Sequence, residues 1–313
     1  MCTRIFFKDA DGKAYVARTM DFASDVGADY GEYLPGSHGL IDTTIPFKAK
    51  FTLKAGVRMV SDGFNKNGLS IETLWLPETS YDTGFGPNKL SGLTLPQYLL
   101  GNCATIEDVR DKLAGKTVTI PVEALTEYAT IHLSISGKTK AGKWENWVVE
   151  FVNGVPTWFA NPIGVMTNAP SFPWHLTNLR NFTQITTYNT ESRKFLGAEF
   201  KHTSFGANQL GLPGGIDSAS RFIRAAVSLS MALEHKVPAS PADAILLADR
   251  VMGLVSVVEG VSGDSGQKFD KTLWTVIKEL DNYEDGFWQK AYNDFGYARL
   301  KCAPIKADGS IEG

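Results

Sequence analysis

Alternating apolar and polar positions begin at the first residues and predict strand over much of the chain. RIFF (4–7) and AYVARTM (14–20) flank KDADGK, where Asp11-Gly12 supplies the positive-φ turn of a β-hairpin. A second pair, VRMVSDGF (57–64) and LSIETLWL (69–76), is joined through NKNG and stopped by Pro77. Three further strands are predicted in YATIHLSIS (128–136), NWVVEFV (146–152) and VPTWFA (155–160), the last two linked by Asn153-Gly154. KTLWTVIKEL (271–280) and GYARLKCAP (296–304) return to strand character.

Helical signals separate these groups. Thr105, with Asp108 three residues on, forms a capping pattern ahead of VRDKL. Ser240-Pro241-Ala242-Asp243 places a capping hydroxyl, a first-turn proline and an acid before AILLADRVMGLV. In DSASRFIRAAVSLSMALEHK, Phe222, Ile223, Ala226, Leu229 and Leu233 recur at helical spacing. Strands, then helices, then strands again predict an α+β fold in which helices cover antiparallel sheets. No repeat, low-complexity stretch or Pro/Ser-rich linker divides the chain, so one domain over 1–313 is expected.

Composition narrows the function classes. A hydrophobic content of 43% with 21% charge suits a chain that buries a sizeable core. The net charge of −3 and the lack of a Lys/Arg cluster exclude a nucleic-acid footprint. No apolar run approaches the roughly 18 residues of a membrane span. Neither nucleic acid nor membrane is therefore expected as a partner. Cys2, Cys103 and Cys302 are too widely spaced for a disulfide framework or a zinc pattern. The five histidines, His38, His132, His175, His202 and His235, lack metal-ligand spacing, and His175 beside Trp174 reads as structural. GLPGG (211–215) lacks the Gly-Lys-Ser/Thr ending of a phosphate loop. With no charged, apolar leader at its start, the sequence as written reads as cytoplasmic. It reads as periplasmic if a native signal peptide precedes it.

Candidate chemistry centres on Cys2. A free cysteine is ordinarily buried and inert. Position two is different, because removal of Met1 would leave a thiol and a free α-amine on one residue. Their ordinary pKa values, about 8.5 and about 7.7–8.0, allow a proton to pass between them near neutral pH. The amine can then act as general base for its own side chain, with no catalytic histidine. The hairpin returns Arg18 and Asp21 toward residue 2, where a cation would favour thiolate and a carboxylate could hold the amine. On spacing alone a surface ion pair at a hairpin edge is the better reading of these two.

MCTRIF…ARTMDF resembles the start of the choloylglycine hydrolase family, cysteine N-terminal nucleophile (Ntn) hydrolases that include bile salt hydrolases and penicillin V acylases. DGFNKNGLSIETLWLP, GNCATIEDV, VMTNAPSFPWHLTNL and GLPGGIDSASRFIRAA are similar to further family segments in the same order. The resemblance implies an αββα sandwich, two antiparallel sheets between helical layers, often as a homotetramer. It implies no metal or organic cofactor. Carried over by position, it makes Cys2 the mature N-terminus and nucleophile, with Arg18 and Asp21 beside the thiol. Asn168 in TNAP and the backbone N–H of residue 75 become the oxyanion donors, and Arg221 in SRF stabilises the charged site.

Trp75 stands where the bile salt hydrolases carry Asn and the Gram-positive penicillin V acylases Tyr, and so resembles the Gram-negative penicillin V acylase branch. Phe22 occupies a place where that branch can carry Trp, and Gly215 one where the family usually has Asp. The expected activity is hydrolysis of linear, non-peptide amides, with penicillin V and N-acyl homoserine lactones as small-molecule substrates and conjugated bile salts as the alternative. Phe22 and Trp75 are the expected substrate contacts. Two rivals stay open: a papain-like hydrolase, which would need a Cys–His pair, and a non-catalytic relative that binds amphipathic ligands.

Overall fold

The structure is a computed structural model of the 313-residue chain; it describes all residues except 24, 25, 27, 28, 37–41, 55, 56, 85, 122–129, 264–268, 307–309 and 311–313. The predicted first hairpin is present as β1 (Cys2–Lys8) and β2 (Ala14–Phe22), turning at Gly12 with φ +80°. β3 (Asp29–Tyr33) and β4 (Phe47–Lys54) follow, then the second predicted hairpin, β5 (Val57–Asn65) and β6 (Ser70–Trp75). β7 (Lys89–Ser91) pairs in parallel with β8 (Thr117–Thr119). The strands β9 (Ile131–Lys138), β10 (Trp144–Val152) and β11 (Val155–Ala160) form the predicted meander. The opening Tyr128 and Ala129 of its first segment lie outside the described residues. β12 (Ser192–Phe195) and β13 (Ala198–Lys201) make a separate hairpin. β14 (Lys271–Glu279), β15 (Phe287–Ala291) and β16 (Ala298–Arg299) close the chain.

Two sheets result. Sheet one has the order β1-β2-β14-β15-β16, and sheet two β11-β10-β9-β6-β5-β4-β3, with every pairing antiparallel. GYARLKCAP contributes only a two-residue strand, β16, which meets β15 through Ala298 and Arg299, and a single parallel bridge from Pro304 to Glu32 of β3.

Helices cover the outer faces. α1 (Leu95–Asn102) and α2 (Ile106–Leu113) bury Leu99, Leu100, Ile106 and Val109 against Ile71, Leu133 and Ile135 of sheet two. The capping box predicted at Thr105 is formed, with Thr105 and Asp108 each bonding the other's backbone N–H. α3 (Phe172–Leu179) follows the meander. α4 (Ser218–His235) and α5 (Pro241–Val255) cover sheet one, burying Phe222, Ile223, Ala226 and Leu229 as the periodicity predicts. Their caps are Asp217 and Ser240. The architecture is the expected αββα sandwich. Among the described residues no helix is long and apolar enough to cross a membrane.

Side-chain alternation decides what meets between the sheets. Register sets Cys2 opposite Met20 and Arg4 opposite Arg18 on β1 and β2, with Val276 of β14 opposite Arg18. Asp62 and Glu72 are direct partners on β5 and β6. These residues share the seam between the sheets, while Thr3, Ile5 and Ala17 turn toward the helices.

Candidate active site

Backbone pairing assembles the site. Arg4 exchanges two backbone hydrogen bonds with Met166, at 2.8 and 3.0 Å, so the segment carrying Asn168 runs antiparallel to the free edge of β1. That register brings Asn168 alongside Cys2, whose N–H donates to Asn168 Oδ1 at 2.7 Å. The start of α4 supplies two more groups. Ser218 Oγ accepts from Asn168 N–H at 2.9 Å, and Arg221, one turn later on the same face, donates to Asn168 Oδ1 at 2.9 Å. The other Asn168 donor, Nδ2, bonds the Trp75 carbonyl at 2.8 Å. An amide nitrogen carries two hydrogens, so a second N–H of Asn168 is left for a ligand. Leu76 N–H bonds Thr130 O, and ladder alternation therefore turns the Trp75 N–H away from β9.

Around the thiol, Arg18 Nη2 lies 3.1 Å from Cys2 Sγ and also donates to Thr73 O at 3.0 Å. Arg221 Nη1 donates to the Cys2 carbonyl at 2.6 Å and lies 3.7 Å from Asp21 Oδ2. Asp21 accepts from Thr272 Oγ1 at 2.6 Å and from Thr19 Oγ1 at 3.2 Å. Burial draws the Arg221 guanidinium below its ordinary value, against the pull of Asp21 and Cys2. At Arg18 burial acts the same way, but Asp62, Cys2 and Asp21 outweigh it and hold the guanidinium above its ordinary value.

The structure thus gathers Cys2, Arg18, Asp21, Asn168 and Arg221 into one connected network. Trp75 joins through its backbone carbonyl. A cavity of about 40 Å³ over Cys2 is lined by Phe22, Trp75, Met20, Val26 and Ile131, and Met1 closes one side. A larger cavity of about 920 Å³, lined by Phe6, Trp144, Ile163, Leu179 and Leu229, contains none of these site residues. The small cavity is the relevant one, because Cys2, Arg18 and Asp21 also line it.

Sequence reading missed a supporting layer. His175 Nε2 donates to Asn168 O at 2.9 Å and stacks on Phe222, while burial lowers its pKa and keeps it neutral. His132 Nε2 donates to Thr167 O at 3.0 Å. Two imidazoles therefore fix consecutive carbonyls around the Asn168 turn, which agrees with a structural role for His175. No imidazole is bonded to Cys2 Sγ among the described residues, so the papain-like arrangement lacks its pair. Across the seam, Arg18 Nη1 meets Asp62 Oδ2 at 2.9 Å, Lys278 Nζ meets Glu72 Oε1 at 2.5 Å, and Arg4 Nε meets Glu72 Oε2 at 3.0 Å. Gly215 carries no acid, and Asp217 two residues on is taken up as the cap of α4.

Residues 2–296 match the family of linear amide C–N hydrolases described as choloylglycine hydrolases. The chain belongs to the choloylglycine hydrolase family. It is accordingly a hydrolase of linear amide C–N bonds. It is 30% identical over 321 residues to the conjugated bile acid hydrolase of Lactobacillus acidophilus, covering 93% of this chain and 95% of that protein. To the penicillin V acylase of Pectobacterium atrosepticum it is 28% identical, over 72% of this chain and 58% of that one. Among solved structures, a mutant conjugated bile acid hydrolase from Clostridium perfringens superposes with a TM-score of 0.84 at 23% identity, covering 96% of this chain and 92% of that one. Penicillin V acylase from Agrobacterium tumefaciens gives 0.71 at 23% identity, covering 96% and 86%. The identities to the two kinds of relative are close, so the expected branch rests on Trp75.

Proposed function

We propose that this family member cleaves the phenoxyacetyl amide of penicillin V and the acyl amide of N-acyl homoserine lactones, with Cys2 as an N-terminal nucleophile. The observation that carries this reading is Trp75 beside Phe22, Val26 and Ile131 at the cavity over Cys2. A flat indole on an apolar wall suits an aromatic or alkyl acyl group, which gains from stacking and burial. In the proposed reaction the Cys2 thiolate adds to the amide carbonyl, forming the S–C bond and an oxyanion. The second Asn168 N–H and the Trp75 N–H receive that oxyanion, and Arg18 and Arg221 offset its charge. The α-ammonium protonates the leaving nitrogen as the C–N bond breaks. Water then adds to the thioester and expels the thiolate.

With Met1 attached, Cys2 N is a peptide nitrogen without a basic lone pair, so excision of Met1 is part of the proposal. Association into a homotetramer is also proposed, supported by the exposed Tyr188, Leu196 and Phe205 in the excursion that carries β12 and β13.

Conjugated bile salts are the second reading, favoured by the 30% identity to the Lactobacillus acidophilus hydrolase. A side-by-side assay of penicillin V, a long-chain acyl homoserine lactone and glycocholate separates the two. The first two should be turned over faster. Trp75→Asn should shift the penicillin V to glycocholate ratio of kcat/KM toward glycocholate by roughly tenfold, the scale of one pocket contact. Preferential cleavage of glycocholate by the unmodified enzyme would reverse the order of the readings.

A further inference from the structure

The seam between the sheets holds five buried charged side chains, and its balance is uneven. Arg4 and Arg18 are direct cross-strand neighbours on sheet one, and Asp62 and Glu72 are direct cross-strand neighbours on sheet two. Each pair is repulsive within its own sheet, since like charges opposite one another destabilise a ladder. Across the sandwich they neutralise each other, Arg18 on Asp62 and Arg4 on Glu72, and Lys278 enters between the carboxylates. All five side chains are 0–1% exposed. The set contains three cations and two anions.

The carboxylates are committed. Glu72 Oε2 is taken by Arg4, and Oε1 by Lys278 and Ser70. Asp62 Oδ2 is taken by Arg18, while Oδ1 has no hydrogen bond and faces Lys278 Nζ at 3.9 Å. Burial works to raise Glu72, but Lys278 and Arg4 overcome it and hold the carboxyl below its ordinary value. Arg4 spends its two terminal nitrogens on Gly164 O and Ser136 Oγ, which are neutral acceptors, so the guanidinium edge through which the surplus charge meets an ionisable group is the outer edge of Arg18. That edge is Arg18 Nη2, on Cys2 Sγ.

We infer that Arg4, Glu72, Lys278, Asp62 and Arg18 form a charge ladder whose surplus positive charge is completed by the Cys2 thiolate, so that Lys278, Glu72 and Asp62 are positioning residues acting on the nucleophile through Arg18. A buried cation without a counter-ion is costly, and the thiolate removes that cost. Other charged groups face the thiol as well. Asp21 on β2 and Arg221 on α4 offset one another, and the Cys2 nitrogen shares the Asn168 Oδ1 acceptor with Arg221. His132 and His175 stand behind Asn168. Lys50 on β4, the register partner of Asp62, sits 4.4 Å over the Trp274 ring. Burial draws its ammonium down to about 8, so below that pH it adds a cation beside Asp62; that cation is common to the unmodified protein and every variant below, which are therefore compared by the charge of the five-residue ladder alone.

This inference rests on Cys2 being the nucleophile, and its test uses no amide substrate. Alkylation of Cys2 by iodoacetamide is followed against pH on the Met1-free protein, with peptide mapping to separate Cys2 from Cys103 and Cys302. Lys278→Met leaves two cations and two anions, so the midpoint should rise by about one pH unit and the rate at pH 6 should fall about tenfold. Glu72→Gln leaves a surplus of two and should lower the midpoint. Lys278→Met with Glu72→Gln restores a surplus of one and should return the midpoint to that of the unmodified protein. A scaffold role predicts instead that the double variant is at least as impaired as either single one. Unmoved midpoints, or no restoration in the double variant, would overturn the ladder. If Lys278→Met does not fold, the direction of the Glu72→Gln shift decides alone. A protein that shows the predicted shifts but turns over none of the three amides would retire the substrate assignment and leave the ladder standing.

Discussion

Between sheet two and its helices the buried side chains are Ile71, Leu99, Leu100, Val109, Leu133 and Ile135; between the two sheets, at the same depth, lie Arg4, Arg18, Asp62, Glu72 and Lys278. The outer layer is what hydrophobic burial favours. The seam is not, since taking charges out of water costs several kcal/mol per ion, and well-packed apolar residues can often replace buried pairs without loss. Stability alone therefore accounts for the outer layer and leaves the seam unexplained. The seam, however, ends at Cys2. Variants of the outer layer should change how much protein is folded, whereas variants of the seam should change what the folded protein does.

The largest effect expected is at the end of the seam. Cys2→Ala should cut kcat for amide hydrolysis by at least about 10³-fold with an unchanged circular dichroism spectrum. Retained turnover would remove Cys2 from the reaction. Asn168→Ala should lower kcat by about 10²–10³-fold, the usual effect of losing one oxyanion donor, in steady-state assays. A change confined to KM would instead make Asn168 a binding group. In the outer layer, Leu99→Ala should cost about 2–5 kcal/mol in chemical denaturation, the range for emptying a leucine site. It should leave kcat per folded molecule unchanged.

The finest separation of the two regions is in acid. Glu72 is held below its ordinary value, so its charge contributes stability above about pH 4.5, the ordinary value, and loses that contribution as pH falls through the depressed one. Calorimetry should show Tm falling with acid in the unmodified protein. The fall should be shallower in Glu72→Gln, whose Tm at pH 7 is already lower, and unaltered in Leu99→Ala. Parallel acid limbs in all three would contradict this account of Glu72.

Much of this organisation was legible in the sequence, for physical reasons that differ by region. The hairpins at Gly12 and Gly68 announce themselves because their turns need positive φ, and the caps at Thr105 and Ser240 because a free helix end needs a side-chain acceptor. β4, α1 and α3 went unpredicted although FKAKFTLK alternates along its length and both helices have proline in their first turn. What else escaped is long-range. Nothing local ties Arg4 to Glu72 or His175 to the Asn168 carbonyl; those contacts exist because two sheets face one another and α3 folds back. One signal was available: Arg4, Asp62 and Glu72 each interrupt an apolar strand run, and a lone charge in a buried strand needs a partner. The resemblance supplied the positions of Asn168 and Arg221, and register and the first turn of α4 explain why they meet Cys2.

The central claim is that catalysis belongs to Cys2 as a free N-terminus. The measurement that tests it most directly pairs intact mass with amide turnover on one preparation, before and after quantitative removal of Met1 by methionine aminopeptidase. The account predicts that turnover rises in proportion to the fraction beginning at Cys2 and that Met1-bearing protein is inactive. Equal turnover by protein that retains Met1 would contradict it.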